Sequence, residues 1–219
     1  MRRLLGALPE VPFGARLATL LVVLALAAIV DRARHGAAAR RWREYSFLLA
    51  CGLLGALVGG LQDQLSVRVS PDYFLYGKGL EGGADLAWRA SVLGGQAGFV
   101  AGVIAAGVLL LVNQPRPARP ALSELAAARV AVPWVVGAAL GGEALGALVL
   151  GPLDPLCYAR ELRGLLAPEA ALGFTRVWGM HAGLYGGAAL GLVVAALRLR
   201  ARRAYTTTPA PEGAGAGEV

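Results

Sequence analysis

The sequence predicts an all-α fold: a polytopic transmembrane bundle of about five helices, with a parallel internal repeat in which helices 2 and 3 correspond to helices 4 and 5. Three observations lead there. Of the 219 residues, 57% are hydrophobic and only 16% charged, whereas about a quarter of a soluble domain is normally charged. The charges present bound five long uncharged runs. And the stretch LGALVGGLQDQL (54–65) is echoed by LGALVLGPLDPL (145–156), an offset of 91 that matches Asp63 with Asp154.

The runs justify the helices in order. Leu17–Val30 lies uncharged between Arg16 and Asp31, and Pro12–Ala15 lengthens it, giving a first helix over about 13–30. Arg2 and Arg3 before an apolar stretch also fit a signal peptide, but Asp31, Arg32 and Arg34 follow the run at once, and an uncleaved anchor is the preferred reading. Tyr45–Leu61, Ala90–Val112, Val130–Leu153 (broken by Glu143) and Val177–Leu197 give helices over about 45–62, 89–112, 130–152 and 176–198. A helix crosses the hydrocarbon core with roughly 20 apolar residues. Barrel strands would alternate apolar and polar residues, and these runs do not. Residues 1–205 thus form one transmembrane domain, and 206–219, rich in Thr, Pro, Gly and Ala, a disordered tail.

The connections differ in character. Asp63 to Arg89 is long; Leu65, Val67 and Val69 alternate with Ser66, Arg68 and Ser70 like a short strand, Ser70-Pro71-Asp72 opens a turn, and Tyr73, Phe74 and Tyr76 follow. That aromatic cluster suits an interfacial anchor, a lid or a partner surface. Asn113 to Pro120 carries three prolines and is expected to be extended.

The repeat continues where Gln96-Ala97-Gly98 is answered by His181-Ala182-Gly183 at an offset of 85. Small residues every fourth position (Gly94, Gly98 and Gly102; Gly179, Gly183, Gly187 and Gly191; Gly137 and Gly141; Gly142 and Gly146) permit close backbone approach in lipid, where no hydrophobic force drives helices together. At 100° per residue, Gln96 and His181 point away from the glycine ridges of their helices. Both of those helices therefore need neighbours on two sides.

Glu143, His181 and Gln96 are the candidate intramembrane polar site, with Asp63 and Asp154 as candidates at an outer mouth above them. An ionisable group inside a membrane needs a partner or a wet cavity. Two readings stay open: a proton-linked pair of Glu143 and His181, or a hydrogen-bonded strut, Glu143 protonated or capped by Gln96, that fixes helix register. Cys51 and Cys157 fall on opposite sides of the predicted membrane and are not expected to pair. There is no Cys/His metal spacing, no phosphate loop and no nucleophile elbow, so no cofactor, metal site or catalytic residue is assigned.

The net charge of +7 comes from arginines at helix ends, which favour anionic lipid headgroups. No basic and aromatic interleaving marks a nucleic-acid surface. Twelve of the 21 basic residues fall in the first and third connections and the tail, which favours a cytoplasmic C-terminus. The run Gln64 to Phe74, with Ser70-Pro71-Asp72-Tyr73-Phe74 at its core, resembles a segment of small bacterial integral membrane proteins with a Ser-Pro-Glu-Tyr-Phe motif, Asp72 here standing in the Glu position. The resemblance implies a bacterial cytoplasmic membrane and supplies no catalytic residues. The expected surroundings are the lipid bilayer and a homo-oligomeric or other membrane-protein partner. The expected function is transport of a small solute or ion, the alternative a non-catalytic accessory or assembly subunit of a membrane complex.

Overall fold

The computed structural model describes residues 12–116 and 119–205. It is all-α: the described residues form long helices, short helical turns and loops, with two isolated bridges and no strand among them. The long helices are α1 (Phe13–His35), α2 (Arg41–Val69), α3 (Leu86–Val112), α4 (Glu124–Leu153) and α5 (Pro168–Tyr205). All five are long and apolar enough to cross a membrane. Each outruns its predicted span at one end or both, because polar and charged residues outside the apolar runs continue the helical backbone. The predicted tail lies outside the described residues.

The chain divides into two compact units between Ala50 and Cys51. In the first, no residue of α1 is buried. Asp31, near its end, accepts the backbone N–H groups of Arg40 and Arg41 at 2.9 Å each and so satisfies donors that the start of α2 leaves open.

In the second unit, helices pair backbone to backbone. A Cβ placed on Gly98 would run into the carbonyl oxygen of Gly55, and one on Gly94 into that of Gly59, so α2 and α3 touch through glycines. Likewise α4 and α5 meet at Gly142 against Gly183 and at Gly146 against Gly179, continued by Ala138 against Gly187 and Trp134 against Gly191. Gly137 and Gly141, grouped with these by spacing, face open space. Side chains at the contacts would push the axes apart, which explains why the four-residue period recurs on both sides of each pair.

Two features depart from the sequence reading. The predicted short strand after Asp63 is helix: α2 continues to Val69, burying Gln62, Asp63, Ser66 and Val67, the three-and-four spacing of one helical face, and Ser70 just past its end is buried too. Leu65 and Val69 face outward, so the alternation reflected no two-sided sheet. Within α4, Gly146–Leu150 forms a π-helical turn, which adds a residue to the helix path.

At the far end, Arg203 is buried and its guanidinium donates to the carbonyls of Val112, Gln114 (2.6 Å), Arg119 (2.8 Å) and Pro120 (3.1 Å). One side chain thereby caps α3 and holds the proline-rich connection. Asn113 and Leu122 close the same loop reciprocally, at 2.8 and 3.0 Å.

Replacing Gly183 with Ala forces the α4–α5 contact open and is expected to cost about 1–3 kcal/mol. Gly137→Ala, in open space, is expected to be neutral or to stabilise by up to about 1 kcal/mol. Thermal unfolding of the two variants in detergent checks this; equal melting temperatures would contradict the packing.

Candidate functional site

The site begins on the buried face of α2. Asp63 stands there beside Gln62, and α5 brings His181 against it: His181 Nε2 lies 2.8 Å from Asp63 Oδ1, both side chains 6% exposed. The second ring nitrogen, Nδ1, lies 2.8 Å from the carbonyl oxygen of Val177, one turn back on α5. A carbonyl only accepts, so Nδ1 carries a proton. In a neutral imidazole Nε2 then has no proton of its own, and Asp63 must donate; in an imidazolium, Nε2 donates to the carboxylate. Either way the pair holds one proton between Oδ1 and Nε2 and has no net charge. Neutrality is what a buried ion-forming pair requires, since uncompensated charge in an apolar interior costs several kcal/mol.

Aromatic rings enclose the pair. The long connection folds into a π-helical turn, Tyr73–Gly77, that lays Tyr73 flat on His181 with centroids 5.0 Å apart and planes 28° from parallel. Phe74 meets the imidazole edge-on at 6.2 Å, and Tyr185 sits 6.4 Å away along α5. Phe174 and Tyr158 extend the cluster outward. Of the readings open for the aromatic segment, this is a lid over the site. Burial, chiefly, pushes the Tyr73 phenol well above its ordinary value of 10.0, with the acidic neighbours Tyr185, Asp63 and Tyr158 adding to the rise.

Below the pair lies a cavity of about 360 Å³, lined by α2, α3, α4 and α5. Its walls are Gly, Ala, Val, Leu and Ile; Gln62, Asp63, His181 and Tyr185 form its polar head, and Cys51, midway along α2, lines its other end. Leu54 and Ile104 line it while themselves exposed, so the space is a cleft with an open side.

The sequence candidates therefore separate. His181 and Asp63 come together, Asp63 buried beside the imidazole rather than standing at a mouth above it. Glu143 is half-buried next to Gln62 and within electrostatic reach of His181, but the carboxyl bonded to the ring is that of Asp63. Gln96 is half-buried, makes no bond to this group and does not line the cleft. Asp154 does different work: in the left-handed region (φ 42°), it accepts the N–H groups of Tyr158 and Ala159 at 2.9 Å each and starts the short helix Tyr158–Glu161.

The glycine contacts explain why Asp63 and Asp154 differ. Gly94 and Gly179 correspond at the offset of 85. A Cβ on Gly94 would meet the Asp63 carboxyl at 2.6 Å, but one on Gly179 would meet the backbone N of Gly151 at 2.6 Å. The counterpart of Asp63 is thus Gly151, three residues before Asp154. The packing also gives Gly142 and Gly146 the partners that Gly55 and Gly59 have, one helical turn from the alignment LGALV suggests.

Sequence reasoning missed Gln62, Tyr73 and Tyr185 as site residues; the only signal was adjacency to Asp63 and spacing of four from His181. Arg89, at the start of α3, is forked on Asp85 at 2.7 and 2.6 Å, and that bond holds the Asp85 carboxyl below its ordinary range. Among the described residues, no three His, Cys, Asp or Glu side chains are grouped to hold a metal ion. No protein-family model, curated protein or solved structure matches the chain.

Two outcomes follow from this geometry. Asp63→Ala leaves Nε2 buried without a partner and is expected to cost about 3–5 kcal/mol, while Asp63→Asn, whose amide still donates to Nε2, costs less; nitrogen NMR of His181 in both proteins is expected to show Nδ1 protonated, and an unprotonated Nδ1 would refute the assignment. Because the Tyr73 phenol is raised in the fold, its stabilising effect is complete below pH 10 and is lost as pH climbs from there through the raised value. Tyr73→Phe is expected to flatten that alkaline loss in pH-dependent unfolding.

Proposed function

We propose that the chain is a multi-pass membrane protein that carries a small solute across the bilayer in step with a proton, the hydrogen-bonded Asp63–His181 pair at the head of an apolar cleft being the observation that supports this most. Five helices of spanning length support the membrane setting, and their outward faces are greasy: Leu53, Leu111, Leu148 and Leu190 are 64–76% exposed. The setting is the bacterial cytoplasmic membrane, with the C-terminus in the cytoplasm as the arginine distribution favours.

The pair supplies the proton-linked half. Removing its proton leaves an unbalanced buried charge, so loading and unloading it must be tied to a change in what surrounds it. The titratable groups facing it are Glu143 from α4, Tyr185 on α5 and Tyr73 from the lid; α3 brings only glycines and apolar residues to the cleft. The cleft supplies the solute half. Its wall lacks the rings of carbonyls or charges that an ion pathway uses, so an apolar or amphiphilic solute fits better than an ion.

The matched glycine contacts of the two hairpins support reading them as a parallel repeat, related by an axis along the membrane normal, with the cleft at their junction, where transporter sites commonly lie. The accessory reading keeps one specific support: α1 buries no residue, leaving a whole apolar helix for a partner protein or another copy of the chain.

Purified protein in liposomes loaded with a pH-sensitive dye, challenged with a panel of small apolar and amphiphilic solutes, tests the reading. At least one solute is expected to drive a change in internal pH that Asp63→Asn abolishes. No response to any solute, together with a stoichiometric partner retained on purification, would replace transport with the accessory role.

A further inference from the structure

Gln62 is where the cleft has bonding capacity left over. Its side chain is 5% exposed, it lines the cavity beside Asp63, and its amide Nε2 is buried without a hydrogen-bond partner. Glu143 on α4 interacts with the Gln62 side chain, but no acceptor stands at hydrogen-bond distance and angle to Nε2. Buried donors without acceptors are costly and uncommon in native chains. Ser66 Oγ is also buried and unpartnered but does not line the cavity. An occupant of the cleft therefore meets Gln62.

The shape of the cleft limits what that occupant can be. From Asp63 along α2 to Cys51 it extends about 18 Å at 1.5 Å per residue. A volume of about 360 Å³ over that length leaves a cross-section of about 20 Å², the girth of one extended hydrocarbon chain. At roughly 1.25 Å advance per carbon for ordinary carbon–carbon bonds, the length takes about fourteen carbons.

Charge limits the head. Asp63 and Glu143 already place two carboxyl groups against one imidazole, so a carboxylate or phosphate arriving there would add like charge. A cationic head would leave Gln62 without the acceptor it lacks. A neutral carbonyl, as in an ester or ketone, satisfies the amide and adds no charge.

We infer that the cleft binds a single-chain lipid of about fourteen carbons whose neutral carbonyl head accepts a hydrogen bond from Gln62 Nε2 beside the Asp63–His181 pair. This names the solute class of the proposed transport and rests on that reading for the solute's movement, though not for its binding.

The test uses the full chain, purified in amphipol and titrated with carbonyl-labelled methyl esters of saturated acids from short chains to long. The wild-type protein is expected to bind one ester per chain, saturably, best near fourteen carbons, with the bound carbonyl carbon shifted downfield by its hydrogen bond. Gln62→Leu is expected to weaken binding about threefold to tenfold, the worth of one neutral hydrogen bond, and to remove the shift. With the unmet donor gone, the empty variant is also expected to melt higher than the empty wild type. Uptake that rises without saturating, or a bound carbonyl with the same shift in both proteins, would overturn the inference. Should the variant not fold, the wild-type stoichiometry and carbonyl shift decide the matter. Ester binding without any ester-driven pH change in liposomes keeps this site and removes transport; pH changes driven by other solutes, with no ester bound, remove this site and keep transport.

Discussion

The structure depends on helices that touch through their backbones. Where α2 meets α3 and α4 meets α5, glycine Cα atoms lie against glycine carbonyl oxygens with no side chain between. Such contacts gain dispersion along the whole seam and place Cα–H groups against carbonyls, each a weak hydrogen bond. In an apolar medium that is most of what holds two helices together, since lipid tails pack against leucine as well as another leucine does. A single β-carbon at Gly183 or Gly98 removes the contact over a full turn.

Close pairing within each hairpin has a consequence between hairpins. The small residues are spent on the seams within each hairpin, and those of the α2–α3 seam also border the cleft. The two hairpins therefore meet over specific side chains more than over backbone. His181 against Asp63, and Tyr73 against Phe174, bridge them at one end; Arg203 on four carbonyls ties the connection between them at the other. What lies between the two bridges is the cleft. That space is bounded by polar contacts at its ends and walled by glycine and apolar side chains.

Much of the fold was legible because it is written in composition and period. Five apolar runs became five long helices, and the fourfold glycine spacing on α3 and α5 marked the seams. Spacing alone failed at Gly137 and Gly141, which repeat like the others and face open space, because period fixes a face and says nothing about what stands opposite. The site was half legible. His181 was singled out as an intramembrane ionisable group and Glu143 considered as its partner, while α2 continues past the end of its apolar run and carries Asp63 inward. The apolar run ended before the helix did. The polar residues that ended it, Gln62, Asp63 and Ser66, were the ones the fold buries, and hydropathy reads a buried polar stripe as a loop. Tyr73 was seen as part of an aromatic cluster, yet only the π-helical turn aims its ring at the imidazole.

The same register accounts for the pair occurring once. If the hairpins descend from one plan, each half had a chance to build it: Gln96 occupies the place of His181, and Gly151 the place of Asp63. In the second hairpin the π-helical turn at Gly146–Leu150 and the displacement of LGALV by one turn carry Asp154 out to the helix end, where it caps the turn that follows. An amide in place of the imidazole and a glycine in place of the carboxyl leave that half with nothing to share a proton. The single dyad, built from α2 of the first hairpin and α5 of the second, lies across their junction.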